Sequence, residues 1–169
     1  MTIDSSAGAV NGQTSGIRAV NRGSGALALT TAKVTGANAW GIYSTNFGTD
    51  LIIESSAGTV SGNSNGISAD NKGSGALSIT SASVTGTTKH GLQAKNSGTV
   101  LTVDSSGGSV IGGYSGIYAN NNGSGATSVT AANVTGTSRR GIEVWSLGSS
   151  LTINSAAGTV SGDDLGLLA

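Results

Sequence analysis

The sequence is poor in most of the residue types on which enzymes and small disulfide-stapled folds rely. Cysteine and proline are absent from its 169 residues, histidine and methionine occur once each, aromatics make up 4% and charged residues 9%. Without cysteine there is no disulfide framework and no thiolate metal site, although cysteine-free chains occur on both sides of a membrane. A single histidine, His90, excludes a histidine-based metal cluster, and no Cys–His nucleophile can form. Eight basic against eight acidic side chains leave a formal charge of zero, so no global field draws the chain to nucleic acid or to an anionic membrane. No apolar run approaches the roughly 20 residues of a spanning helix, and no charged-then-apolar signal segment opens the chain. If the protein is exported, its targeting signal is expected to lie outside these residues.

What is present is glycine, 29 residues of it, with Ser, Thr and Asn, and a hydrophobic fraction of 36%. That fraction is too high and too regularly spaced for a disordered polar tract, and the spacing is a repeat. Segments starting at Met1, Leu51 and Leu101 align without gaps over fifty positions, as in LIIESSAGTVSGNSNGISADNKGSGA against LTVDSSGGSVIGGYSGIYANNNGSGA, and the residues from Leu151 continue the same register. Each fifty divides again into units of 26 and 24 residues. Apolar residues preceded by Gly recur every 25 positions at Ile17, Ile42, Ile67, Leu92, Ile117, Ile142 and Leu167. A Val-x-Gly triplet starts at Val10, Val34, Val60, Val84, Val110, Val134 and Val160, and a pair of Leu-x-Ile type opens each unit, from Met1 and Ile3 to Leu151 and Ile153. One copy of that pair reads Thr127 and Val129.

Each unit therefore holds three short period-two segments separated by Gly, Ser and Asn turns. Segments this short bury nothing alone, whereas stacked as coils they enclose a continuous narrow core. The expectation is an all-β, right-handed parallel β-helix, a single β-solenoid over 1–169 with about seven coils and three short strands per coil. A left-handed hexapeptide solenoid is excluded by a period that is not a multiple of six, and a propeller by the nested 25-residue repeat. Asn21, Asn46, Asn71, Asn96 and Asn121, continued by Ser146 and each followed two residues later by Gly, are expected at a sharp corner. Asn tolerates left-handed backbone there, and its amide can bond along the axis. In this register Asp4, Glu54 and Asp104 alternate with Thr30, Thr80 and Thr130, and Asp70 neighbours Lys95, so like charges are not stacked.

A search for convergent chemistry returns little. The spaced acids lack the Asp-rich turns of calcium solenoids, and the Gly-Ser-Gly stretches lack a following helix to cradle phosphate. No metal, cofactor or catalytic residue is expected. The informative pattern is segregation. Windows starting at Gln13, Asn38, Asn63, Thr88, Gly113, Ser138 and Asp163, all around the third segment, hold all six aromatics and eleven of the sixteen formal charges. Trp40, Tyr43, Tyr114, Tyr118, Arg139, Arg140 and Trp145 are the candidate ligand-binding residues, since exposed aromatics and arginines favour binding surfaces; neutral variation at tips of unconstrained size gives the same pattern.

The runs MTIDSSAGAV, GTVSG, GIYANNNGSGA and VTGT resemble the repetitive passenger regions of bacterial autotransporters and related haemagglutinin-like surface proteins. The resemblance implies a non-catalytic stalk or adhesive segment, secreted to the bacterial cell surface, cut from a longer passenger and used in attachment or autoaggregation. Its implied partners are a host-cell or self surface, protein or glycan, with no nucleic acid and no direct membrane insertion. Two other readings share the scaffold. A polysaccharide lyase or hydrolase would need acids clustered with Arg or Lys, and no carboxylate pair stands opposite Arg139 and Arg140 in the adjacent columns. An ice-binding or engineered solenoid is the other. Strand edges at the first and last coils, with no helix, proline or charged segment over them, are templates for head-to-tail self-association.

Overall fold

In the computed structural model, which describes all 169 residues, the period-two segments form strands and no helix occurs. Seven coils follow the repeat, at residues 1–26, 27–50, 51–76, 77–100, 101–126, 127–150 and 151–169. Every strand pairs in parallel with its equivalent in each neighbouring coil, on both sides in the inner coils and on one side in the first and last, as the repeat requires. The third segments make a seven-stranded sheet in unbroken chain order, and the first and second segments together make a ten-stranded sheet.

In coils 3 to 6 the first two segments run on as one strand, at Leu51–Gly62, Leu77–Gly86, Leu101–Gly112 and Thr127–Gly136. Three separate strands per coil, the expected count, persist only in coils 1, 2 and 7. The corner between the two segments is a bulge. Ser55 pairs with Ser81 and Thr59 with Ser83, so the 26-residue coil spends two more residues at this corner than the 24-residue coil does. A bulge of this kind bends a strand without ending it. The third segments keep a strict 25-residue register, Ile17 to Ile42 to Ile67 to Leu92 to Ile117 to Ile142 to Leu167, because the alternation in length is balanced at the corners.

The core is one cluster of 26 buried residues, all Leu, Ile, Val or Ala. Leu27, Leu51, Leu77 and Leu101 stack in one column, Leu29, Ile53, Ile79, Val103 and Val129 in the next, and the Val-x-Gly valines in a third. Burying each large side chain contributes about 1.5–3 kcal/mol.

At the corner after the third segment the Asn side chains form a ladder. The Nδ2 of Asn21 donates to Oδ1 of Asn46 at 2.7 Å, and Asn46 to Asn71, Asn71 to Asn96 and Asn96 to Asn121 each at 3.0 Å. The same amides donate to corner carbonyls, for instance Asn46 to those of Thr49 and Asp50, while Oδ1 of Asn121 accepts from the backbone N–H of Gly123. No residue of the chain has positive φ. The left-handed backbone expected at these positions is therefore absent; Asn is there for its amide, which has donors for the corner carbonyls and for the next rung. In coil 6 the ladder ends on a coordinated change. Ser146 replaces Asn, Thr127 replaces the core Leu, and Asn121 donates to the Thr127 hydroxyl (3.0 Å), which lies 2.8 Å from Ser146 Oγ.

The acidic column alternates with Thr as expected, Asp4 beside Thr30 beside Glu54. Lys95 is paired in register with Asp70, yet the ion pair of Asp70 is with Lys72 on its own coil, at 3.6 Å. Both side chains are substantially exposed, so the pair contributes little to stability.

Candidate functional site

The third segment is approached through a tip that begins at the Gly of Val-x-Gly and ends at the Gly before the Ile column. A Cβ on Gly112 would overlap the carbonyl of Ser115, and one on Gly116 would sit 2.8 Å from the carbonyl of Gly141 in the next coil. Glycine at both ends lets the tip fold flat against its neighbours. Most residues between the glycines project outward, Asn65 and Ser115 being buried, and the strand that follows points alternate side chains away from the core.

The alternate positions of that strand form two columns, Arg18, Tyr43, Ser68, Gln93, Tyr118 and Glu143 in one and Val20, Thr45, Asp70, Lys95, Asn120 and Trp145 in the other. The candidate residues fall into two groups along this side. In coils 1 and 2 the Trp40 and Tyr43 rings lie 4.9 Å apart at 47°, with the Arg18 guanidinium 5.6 Å from the Tyr43 centroid. Coils 3 and 4 interrupt with polar residues, Asn65 and Ser68 both donating to Gln93 Oε1 at 3.3 and 3.2 Å.

The second group spans coils 4 to 6 and brings together Tyr114, Tyr118, Arg139, Arg140 and Trp145. Arg139 donates to the Tyr114 hydroxyl at 2.9 Å and lies 5.1 Å from that ring's centroid. His90 packs against Tyr114 edge-on at 5.7 Å and against Tyr118 at 5.2 Å. Burial lowers the His90 pKa from its ordinary value, Lys95, Lys89 and Arg139 act in the same direction, and Glu143 opposes them. Its Nδ1 is buried without a partner, which fits a neutral ring.

Glu143 is the residue that sequence reasoning missed. It occupies an outward position, yet it is only 3% exposed, because Arg140 and Arg139 close over it at 2.7 and 3.8 Å and Trp145 Nε1 donates to its Oε1 at 3.0 Å. Burial disfavours its charge, but the Trp145 and Arg140 contacts and the two guanidiniums outweigh that and hold the carboxyl below its ordinary pKa. The carboxylate that accompanies Arg139 and Arg140 is a single one, three and four residues along the chain rather than a pair opposite them in the adjacent columns; Arg139 reaches it from the tip and Arg140 from the head of the strand Arg140–Ser146. The signal in the sequence was that Glu143 is the one acid in the column that begins at Arg18.

Beside this cluster lies a groove of about 280 Å3 lined by Tyr118, Asn120, Asn122, Trp145, Ser146 and Leu147. Asn120 is directly beneath Trp145 in the strand register, and Trp145 is 52% exposed. No charged side chain lines the groove. Elsewhere the carboxylates are engaged locally: Asp4 and Asp104 each accept from the N–H and hydroxyl of the Ser two residues on, and Ser56 caps Glu54 in the same way. For Asp4 those bonds lower the pKa. Nowhere do three or more His, Asp or Glu side chains converge as metal ligands would. Comparison with protein families, with curated proteins and with solved structures finds no match to this chain.

Proposed function

We propose that this chain is a non-catalytic, extracellular stalk-like segment of a secreted bacterial surface protein, whose aromatic and arginine-bearing face attaches to a cell surface or to another copy of its parent. One observation carries the reading. The inner columns and the Asn ladder serve stacking, while the exposed aromatics and their arginines are confined to one side, three of them held in place by Glu143, Arg139 and a neighbouring ring. Rigid aromatic anchors beside arginine are what interface hot spots are made of. The resemblance to passenger repeats supports the extracellular setting.

The arginines and Glu143 bear on the polysaccharide-processing alternative, which needs an accessible carboxylate with a second acid or base. Glu143 is buried and bonded to Trp145, so its geometry supports a role in holding the face together.

Attachment of cells or glycan-coated beads to immobilised protein tests the proposal. Trp145→Ser, and the double change Arg139→Ser with Arg140→Ser, should each reduce attachment about tenfold or more, as loss of a hot spot does. Ser78→Ala and Thr102→Ala, on the first segment, should leave it unchanged. Equal attachment by all variants, with circular dichroism showing each one folded, would refute an attachment role for this face.

A further inference from the structure

We infer that the groove between Tyr118 and Trp145 is a binding subsite for a neutral pyranose unit of a glycan, with Trp145 as the stacking platform and Asn120 and Asn122 as the hydroxyl-reading groups. The inference rests on the attachment reading above and names the ligand class for one part of that face.

The lining dictates the class. At about 280 Å3 the groove is at the small end of ligand sites, which run from about 300 to 1,000 Å3, room for a ring-sized unit rather than a folded partner. Its apolar part is aromatic, from Tyr118 and Trp145, with Leu147 at its rim, 80% exposed. An aromatic face is electron-rich and suits the weakly positive C–H face of a sugar ring. Its polar part is two primary amides and a hydroxyl. An amide offers donors and an acceptor side by side, which matches adjacent sugar hydroxyls that donate and accept in turn. The Ser146 hydroxyl is already within 2.8 Å of Thr127 Oγ1 and accepts from the Gly148 N–H, and Asn120 makes only a long 3.5 Å bond to the Tyr118 hydroxyl. The reading groups are therefore the two amides.

Charge decides between neutral and acidic sugars. Arg139 is turned onto Tyr114 and Arg140 onto Glu143, and Lys95, one coil beneath Asn120, does not line the groove. A carboxylate or sulfate placed there would meet no cation. The platform is also fixed before any ligand arrives, because the indole N–H is held by Glu143 and Glu143 by Arg140. Less ordering is then required on binding. Glu143 is a positioning residue in this scheme.

Saturation-transfer NMR with methyl glycosides of glucose, galactose, mannose and N-acetylglucosamine, and with sialyllactose, tests the inference at millimolar sugar. In a Trp40→Phe background, Trp145 is the only tryptophan and its fluorescence reports the same event. At least one neutral glycoside should show transfer and shift the Trp145 emission. Trp145→Ala should abolish both, and Asn122→Ala, at an exposed position, should weaken binding about tenfold with thermal unfolding unchanged. Glu143→Gln should weaken binding while Trp145 stays present, a loss that stacking alone does not explain. No transfer from any neutral glycoside, transfer untouched by Trp145→Ala, or transfer from sialyllactose alone would overturn the inference. Attachment that depends on Trp145 without sugar binding would overturn this inference and leave the attachment reading standing; sugar binding without attachment would do the reverse.

Discussion

At the scale of single residues, the Asn column shows how a correct position can be read for an incomplete reason. The spacing places Asn at the corner, and the amide-to-amide bonds along the axis are there, but the backbone needs no left-handed residue. What distinguishes the rungs is the number of partners. Asn71 accepts from Asn46 and donates to Asn96 and to the carbonyls of Gly75 and Ala76, whereas Asn21 has a neighbouring rung on one side only. Leu matches Asn in size and cannot bond. Asn71→Leu should thus leave buried polar groups unsatisfied on both sides, each costing about 1–3 kcal/mol, and Asn21→Leu on one. Chemical denaturation should show the larger loss at Asn71; equal losses would mean that the axial bonds do not stabilise the stack. Glu143 was not legible at this scale because period-two reasoning puts it among exposed residues. Its burial comes from Arg139 at the tip and Arg140 at the head of the same strand, whose side chains close over it.

At the scale of elements, the alternation of 26 and 24 residues was legible as a repeat length, but the joining of two segments into one strand was not. Sequence shows extra residues and cannot show whether they form a loop or a bulge. The pairing of Ser55 with Ser81 and Thr59 with Ser83 settles it as a bulge. The tips raise a related question, since both bulges and tips contain glycine for different reasons. Gly116 is sterically required: an added Cβ would lie 2.8 Å from the Gly141 carbonyl and 3.0 Å from that of Thr135, both backbone atoms of the next coil. Gly107, at the bulge, would place its Cβ no closer than 3.9 Å to any atom outside its immediate neighbours, and the repeat itself carries Ala at the matching positions 7, 57 and 157. Gly116→Ala should therefore destabilise by about 1–3 kcal/mol through overpacking. Gly107→Ala should be neutral or stabilise by up to about 1 kcal/mol through the unfolded chain. Thermal unfolding of the two variants checks the contrast, and similar losses at both sites would show that the tip is free to adjust.

At the scale of the whole molecule, architecture was the most legible property, because one spacing error anywhere would turn core residues outward along an entire column. The candidate face was legible only in part. Segregation of aromatics marks one side of the solenoid, but the division into two groups depends on Ser68 and Gln93 interrupting a column, and the groove depends on Asn120 and Asn122, which the sequence does not set apart from its other Asn residues. The same one-dimensional order governs how this polypeptide opens. Each coil touches only the coils before and after it, so stability accumulates from neighbours rather than from a common centre. Third segments of inner coils, such as Ile67–Asn71 and Leu92–Asn96, are hydrogen-bonded on both edges, whereas Leu165–Leu168 is bonded on one edge. Burial follows the same gradient: Leu101 and Ile142 are fully buried, while Leu151 and Leu167, in the same two columns, are 39% and 43% exposed. Amide hydrogen exchange of the 169-residue chain should therefore be slowest in coils 3 to 5 and progressively faster toward coils 1 and 7. Leu77→Ala, which removes a core side chain from coil 4 at a cost of about 2–5 kcal/mol, should accelerate exchange most in coils 3 to 5 and flatten the profile. Uniform exchange along the wild-type chain would mean that the seven coils open as one cooperative unit, and that nearest-neighbour stacking does not describe this solenoid.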